Sequence, residues 1–242
     1  MKTLTSIFAF FVLAFSAIFF PGAAHSSANL AAPQASGQLV YADFEKMENN
    51  RPVSARGGYV QLQGNQQNPG TQAKFKGIAG VNAPELVRLK ADDPNRAAMF
   101  SYELPSPNQY ASVTLEIQGL PGKDGKQVGE DVSGYKFLTL QVYAKGTPGP
   151  TGVPRIRVEF LSHDQGIKLQ YGFPQATVQL SPAGFNTYKI ALKSIAQPSW
   201  VQTRVDTKDV LKKLTAVSIS AFCDQCSPIN GTLVIDNLVF TN

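Results

Sequence analysis

Apolar and polar residues alternate with a period of two along much of this chain. In Tyr135–Lys145, Leu138, Leu140 and Val142 alternate with Phe137, Thr139, Gln141 and Tyr143. In Pro154–Ser162, Ile156, Val158 and Phe160 alternate with Arg155, Arg157 and Glu159. In Tyr110–Gln118, Val113, Leu115 and Ile117 alternate with Ser112, Thr114 and Glu116. Successive side chains of a strand point to opposite faces, so the first set of each strand is expected in a core and the second on an outer sheet face. The same reading predicts strands near 38–45, 58–63, 96–103, 110–118, 135–144, 154–162, 167–172, 176–180, 186–192, 215–222 and 231–240. Pro/Gly turns such as Asn68-Pro69-Gly70 and Thr147-Pro148-Gly149-Pro150 separate them. Thr207–Leu214 is the one helical stretch, with Thr207 as cap, Asp209 in the first turn and Lys212 and Lys213 in the last. No strand-helix-strand unit occurs, which excludes a doubly wound sheet. The expected architecture is all-β: a two-sheet antiparallel β-sandwich of the jelly-roll kind with one short helix.

The N-terminus changes the picture of where this domain works. Lys2, the apolar run Ile7–Phe20 and the small residues up to Ala24 or Ala28 read as an export signal. The expected organisation is a signal peptide over 1–24, a flexible lead over 25–37 and a single domain over 38–242. The protein is then secreted or periplasmic, with no membrane span after processing. Net charge is +5, spread without a Lys/Arg block, which argues against nucleic acid as a partner. The only cysteines stand in Cys223-Asp224-Gln225-Cys226. In an exported chain this spacing is expected to close a small disulfide loop. A redox pair would need the first Cys at a helix start, and a zinc site two further soft ligands, with only His25 and His163 on offer.

Candidate chemistry comes from the outer faces. Gln141, Tyr143, Arg155, Arg157 and Glu159 combine planar hydrogen-bonding groups with an aromatic, the composition of a sugar-binding face if the two strands pair. Trp200, the single Trp, follows Pro198 in a loop and is a candidate stacking platform. Glu116 and Glu159 are the carboxyls that an acid/base hydrolase would need on one face. His163 and Tyr171 are the pair a polysaccharide lyase would need. No G-x-S-x-G, H-E-x-x-H or phosphate-loop motif is present.

Two acidic positions interrupt apolar strands: Tyr41-Ala42-Asp43-Phe44-Glu45 near the start and Gly231-Thr232-Leu233-Val234-Ile235-Asp236-Asn237-Leu238-Val239-Phe240 at the end. A buried carboxylate costs several kcal/mol without a partner, so a cation or backbone donors are expected at Asp236. The two segments resemble the first and last strands of the galactose-binding-like jelly-roll superfamily, and in particular family-eleven-type carbohydrate-binding modules and the complex I intermediate-associated domain. That resemblance implies adjacent terminal strands that hold a structural Ca²⁺; if they pair, Asp43 or Glu45 with Asp236 supply two or three of its oxygens, and backbone oxygens of the Arg56-Gly57-Gly58 turn are the candidates for the rest. It also implies non-catalytic binding of a polysaccharide or oligosaccharide; the chain is expected to be a monomer. A jelly-roll lyase or hydrolase, and an assembly factor without a small ligand, are the alternatives.

Overall fold

The computed structural model describes residues 37–65, 73–105, 111–146, 155–165, 169, 171–181, 183–223 and 229–242. The proposed signal and all of the lead but Gly37 lie outside them, as does Cys226 and with it the expected disulfide.

In chain order the strands are β1 (Gln38–Ala42), β2 (Lys46–Glu48), β3 (Arg51–Val53), β4 (Val60–Asn65), β5 (Lys74–Lys76), β6 (Glu85–Arg88) and β7 (Arg96–Leu104). They continue with β8 (Ala111–Gln118), β9 (Phe137–Gly146), β10 (Arg155–Leu161), β11 (Gln175–Gln179), β12 (Asn186–Ala191), β13 (Ala216–Cys223) and β14 (Ile229–Thr241). One short helix, α1 (Thr207–Leu211), precedes β13. Two antiparallel sheets result. The larger runs β12-β9-β14-β7-β5, with β1 added on β14 and β6 on β7. The smaller runs β11-β10-β13-β8-β4, and β2 and β3 form a separate hairpin.

The alternation read from the sequence decides which side of each sheet is core. Leu138, Leu140 and Val142 of β9, Ile156, Val158 and Phe160 of β10 and Val113, Leu115 and Ile117 of β8 are all buried in one cluster between the sheets. Large aromatics fill its ends, with Tyr41 edge-on to Phe240 at a centroid distance of 5.6 Å. The expected meeting of first and last strands also occurs: Gln38 pairs with Thr241 and Val40 with Val239.

Four features depart from the sequence reading. No strand forms over 167–172 among the described residues; Leu169 and Tyr171 lie in turns, Tyr171 with φ of 55°. The β2–β3 hairpin, β5 and β6 were not foreseen, since none is longer than four residues and Lys46–Glu48 is exposed throughout. Asp206, not Thr207, caps α1, its carboxylate accepting from Lys208 N at 2.9 Å. Most consequential, β9 and β10 do not pair: β10 lies between β11 and β13 in the smaller sheet, β9 between β12 and β14 in the larger.

The Gly57-Gly58 turn is used for close packing. A Cβ on Gly58 would run into the backbone oxygens of Gly119 and Gln118. Ser54 Oγ accepts from Arg56 N and Gly58 N, both at 3.2 Å, and donates to Gln118 O at 2.7 Å. The turn therefore braces the end of β8.

Candidate functional site

The outer face of the smaller sheet is built in cross-strand rows. Pairing puts Gln61, Glu116, Ser218, Glu159 and Gln175 in one line across all five strands. The next line is Gln63, Thr114, Ser220, Arg157 and Thr177. Serines on the central strand β13 keep the middle of the floor low, while longer side chains rise to either side. The result is a groove of about 990 Å³, lined by members of both rows and by Gln118, Gln127, His163, Tyr171, Phe173 and Trp200.

The floor is polar and largely buried. Glu116 is only 7% exposed. Its oxygens accept from Gln61 Nε2 at 3.1 Å, Gln63 Nε2 at 3.3 Å and Gln118 Nε2 at 3.4 Å. His163 Nε2 stands 3.7 Å from the same carboxylate. Thr114 and Ser220 share a hydroxyl hydrogen bond of 2.8 Å. Burial raises the Glu159 carboxyl above its ordinary range, and the charge of Arg157 opposes this. The Arg157 Nε and the Gln175 Oε1 are buried with no hydrogen-bond partner in the protein. These two atoms are closed to solvent, and what a ligand in the groove can reach is the exposed remainder of such side chains, 23% for Arg157 and 18% for Glu159.

The wall is aromatic. Trp200 is 52% exposed and Tyr171 68%, both facing the groove. Gly172 allows the two loops to meet, since a Cβ there would run into Val201 and lie 3.1 Å from the Trp200 ring. Arg204 ties the Trp200 loop together by donating to the carbonyls of Gln197 (3.2 Å), Pro198 (3.0 Å) and Ser199 (3.1 Å). Gln197 adds bonds to Gly172 O at 3.1 Å and from Val205 N at 2.9 Å.

Of the sugar-binding residues expected from sequence, the groove therefore gathers Arg157, Glu159 and Trp200. Arg155 lies at its end, on the same face of β10. Gln141 and Tyr143 are elsewhere, on the outer face of the larger sheet, because β9 and β10 belong to different sheets. His163 and Tyr171 do line one groove, from a 3-10 turn and a loop rather than from neighbouring strands. Gln61, Gln63, Gln118, Gln175 and Ser218 were missed. Each follows from alternation once the strand order is known, but nothing local in the sequence states that order.

Asp236 sits opposite, on the outer side of the larger sheet, at a register shift in the β14–β9 pairing. Asn237 takes φ of 51° there. The carboxylate is completely buried. Its Oδ1 accepts from Asn237 N at 2.7 Å, and its Oδ2 from Asn95 Nδ2 at 2.8 Å and Asn237 Nδ2 at 3.0 Å. The Asn237 amide also donates to Gln141 Oε1 at 3.2 Å, so Gln141 belongs to this network. Burial pushes the Asp236 pKa up to about 6; the hydrogen bonds from Asn95 and Asn237 oppose the rise, and the charges of Glu45 and Asp43 add to it. Glu45 accepts from Arg96 N at 2.8 Å, and Asp43 from Glu45 N at 3.4 Å. The donor set suits a hard cation in kind, being carboxylates with an amide oxygen within reach. In this arrangement the carboxylates turn to separate N–H donors, and among the described residues no three acidic, His or Cys side chains form a metal-binding group. The Arg56-Gly57-Gly58 turn, expected to help hold the ion, packs on Gln118 and Gly119 instead.

No protein-family model matches the sequence, and no curated protein does. Among solved structures the fold is similar to family 11 and family 28 carbohydrate-binding modules. A family 11 module of a cellulosomal cellulase of Clostridium thermocellum shares 14% identity over 86% of this chain and 96% of its own, with a TM-score of 0.48. The family 11 module of that organism in complex with a β-1,3-1,4-mixed-linked tetrasaccharide gives 14% identity, coverage of 86% and 97%, and 0.47. A family 28 module specific for non-crystalline cellulose gives 16% identity, coverage of 70% and 87%, and 0.37. These are likenesses of fold alone.

Proposed function

We propose that this protein is an exported, monomeric, non-catalytic glycan-binding module, with the sugar chain lying along the groove of the smaller sheet. The observation that carries the reading is the pairing of opposites in one cleft: planar polar side chains, Arg157, Glu159 and Gln175, on the floor, and exposed Trp200 and Tyr171 on the wall. Planar polar groups match adjacent sugar hydroxyls, and aromatic faces match the C–H side of a pyranose ring. Isothermal titration of the intact protein against a panel of soluble glycans tests this, with Trp200→Ala as the control variant. Binding that persists undiminished in Trp200→Ala and Gln175→Ala would place the ligand elsewhere.

A structural Ca²⁺ at Asp236, with Asp43 and Glu45, belongs to the same proposal. What supports it is the nearness of three carboxylates: burial raises Asp236 first, and the charges of Glu45 and Asp43 add to the rise. A cation would compete there with the Asn95 and Asn237 donors and supply electrostatic stabilisation only, remote from the groove.

One observation favours a second reading, a glycoside hydrolase. Glu116 and Glu159 stand in one groove on either side of Ser218, and glycosidases need two carboxyls flanking the bond they cut. Release of reducing ends from any bound glycan, abolished by Glu159→Gln, would decide for it.

A further inference from the structure

We propose that the end of the groove at Arg155 and Arg157 is an anion subsite, so that the bound glycan carries a carboxylate or sulfate group. The inference rests on the groove being the glycan site and names the class of glycan it selects.

Arg155 and Arg157 stand two residues apart on the outer face of β10. Both guanidinium carbons lie 5.2 Å from the centroid of the same ring, that of Phe222. An aromatic face attracts a cation and holds it in place, so one ring keeps two positive charges together that would otherwise move apart. Same-face neighbours on a strand are roughly 7 Å apart, within a Debye length at physiological salt, so their repulsion is felt. Among the described residues a single carboxylate answers the two charges: Glu159, at 3.5 Å from Arg157 Nε. That contact is not a hydrogen bond, and the Nε remains buried without a partner. Among the described residues, one negative charge against two positive ones leaves an excess cation at the groove's end.

The chemistry that satisfies this arrangement is a planar or tetrahedral oxyanion. A guanidinium presents its N–H groups as a fork that matches two oxygens at once, and it is weakly hydrated, so it gives up water readily. Uronic-acid carboxylates and sugar sulfates share that geometry. Neutral hydroxyls satisfy the hydrogen bonds but not the charge.

The test is calorimetry on the intact protein with three oligosaccharides of matched length: a neutral cello-oligosaccharide, an oligogalacturonate and a sulfated galactan fragment. Quenching of Trp200 shows that each occupies the groove. At low salt one of the two anionic probes is expected to bind about tenfold or more tighter than the neutral one, and which one identifies the oxyanion. The preference should shrink with added NaCl. Arg155→Gln should cut the anionic-to-neutral ratio about fivefold or more, with Arg155→Lys restoring part of it. Neutral binding without anionic preference, or a preference unchanged in Arg155→Gln, overturns the subsite and leaves the glycan reading standing. Failure of all three probes, together with failure of a wider glycan panel, overturns both.

Discussion

Glu116 and Glu159 stand on the same cross-strand row, on either side of Ser218, yet one is fully satisfied by the protein and the other is not. Glu116 accepts from three glutamine amides, whereas Glu159 has only the 3.5 Å approach of Arg157. Glu116→Ala strands those amides and is expected to cost about 1–3 kcal/mol of stability. Glu159→Ala should leave the urea midpoint nearly unchanged while weakening glycan binding. Equal destabilisation by both variants would contradict this division between scaffold and ligand contact.

Trp200 is the only Trp of the chain, so its fluorescence reports the groove without interference. Glycan binding should quench or shift it. Trp200→Ala should lower affinity about tenfold, a loss of roughly 1.4 kcal/mol, with little change in Tm because the ring is half exposed.

Arg204 touches the Trp200 loop only through three carbonyls. Arg204→Ala is therefore expected to loosen the platform without removing it. Trp200 fluorescence anisotropy should fall, and affinity should drop several-fold because ordering the loop is then charged to binding. Unchanged anisotropy would show that Gln197 alone suffices.

Asp236 gives the fold a pH dependence. Its pKa is about 6 in the fold against an ordinary value of 3.8, so the folded state binds the proton more tightly than the unfolded chain. Its contribution is fully present below about pH 4 and is lost as pH rises through about 6, a change on the order of 3 kcal/mol. Urea unfolding of chelator-treated protein at pH 5 and pH 7.5 should show the greater contribution at pH 5. Asp236→Asn should flatten this part of the profile.

Added Ca²⁺ should raise Tm at pH 7.5, where Asp236 is ionised, and a chelator should lower it again. The gain should approach about 2.7 kcal/mol at a hundredfold excess over Kd. Asp236→Ala should abolish the response. A Tm indifferent to both additions would mean that the Asn95 and Asn237 amides are the carboxylate's permanent partners.

Alternation was sufficient to assign Leu138, Ile156 and Val113 to the core and Arg157, Glu159 and Glu116 to outer faces, because burial follows directly from a period of two. It was not sufficient to assign Tyr143 and Arg157 to different outer faces. Which strand pairs with which depends on contacts between residues dozens of positions apart, such as Ser218 with both Glu116 and Glu159. The short edge strands were illegible for another reason. Lys74–Lys76 and Lys46–Glu48 carry little apolar signal of their own, and their conformation is imposed by the strands beside them. Trp200 was legible as a lone exposed aromatic after a Pro, but its supports Arg204 and Gln197 act through backbone carbonyls, which leave no residue-type signature.

The thirteen-residue strand at the C-terminal end, β14, has a consequence for the order of events during synthesis. It is an inner strand of the larger sheet, paired with β9, β7 and β1. Until its residues have been added, β9 and β7 have no common neighbour and β1 has nothing to join, so the sandwich cannot close. The smaller sheet, β11-β10-β13-β8-β4, has all its strands before β14, so the two halves of the sandwich become complete at different times. The core between them has one wall before it has the other.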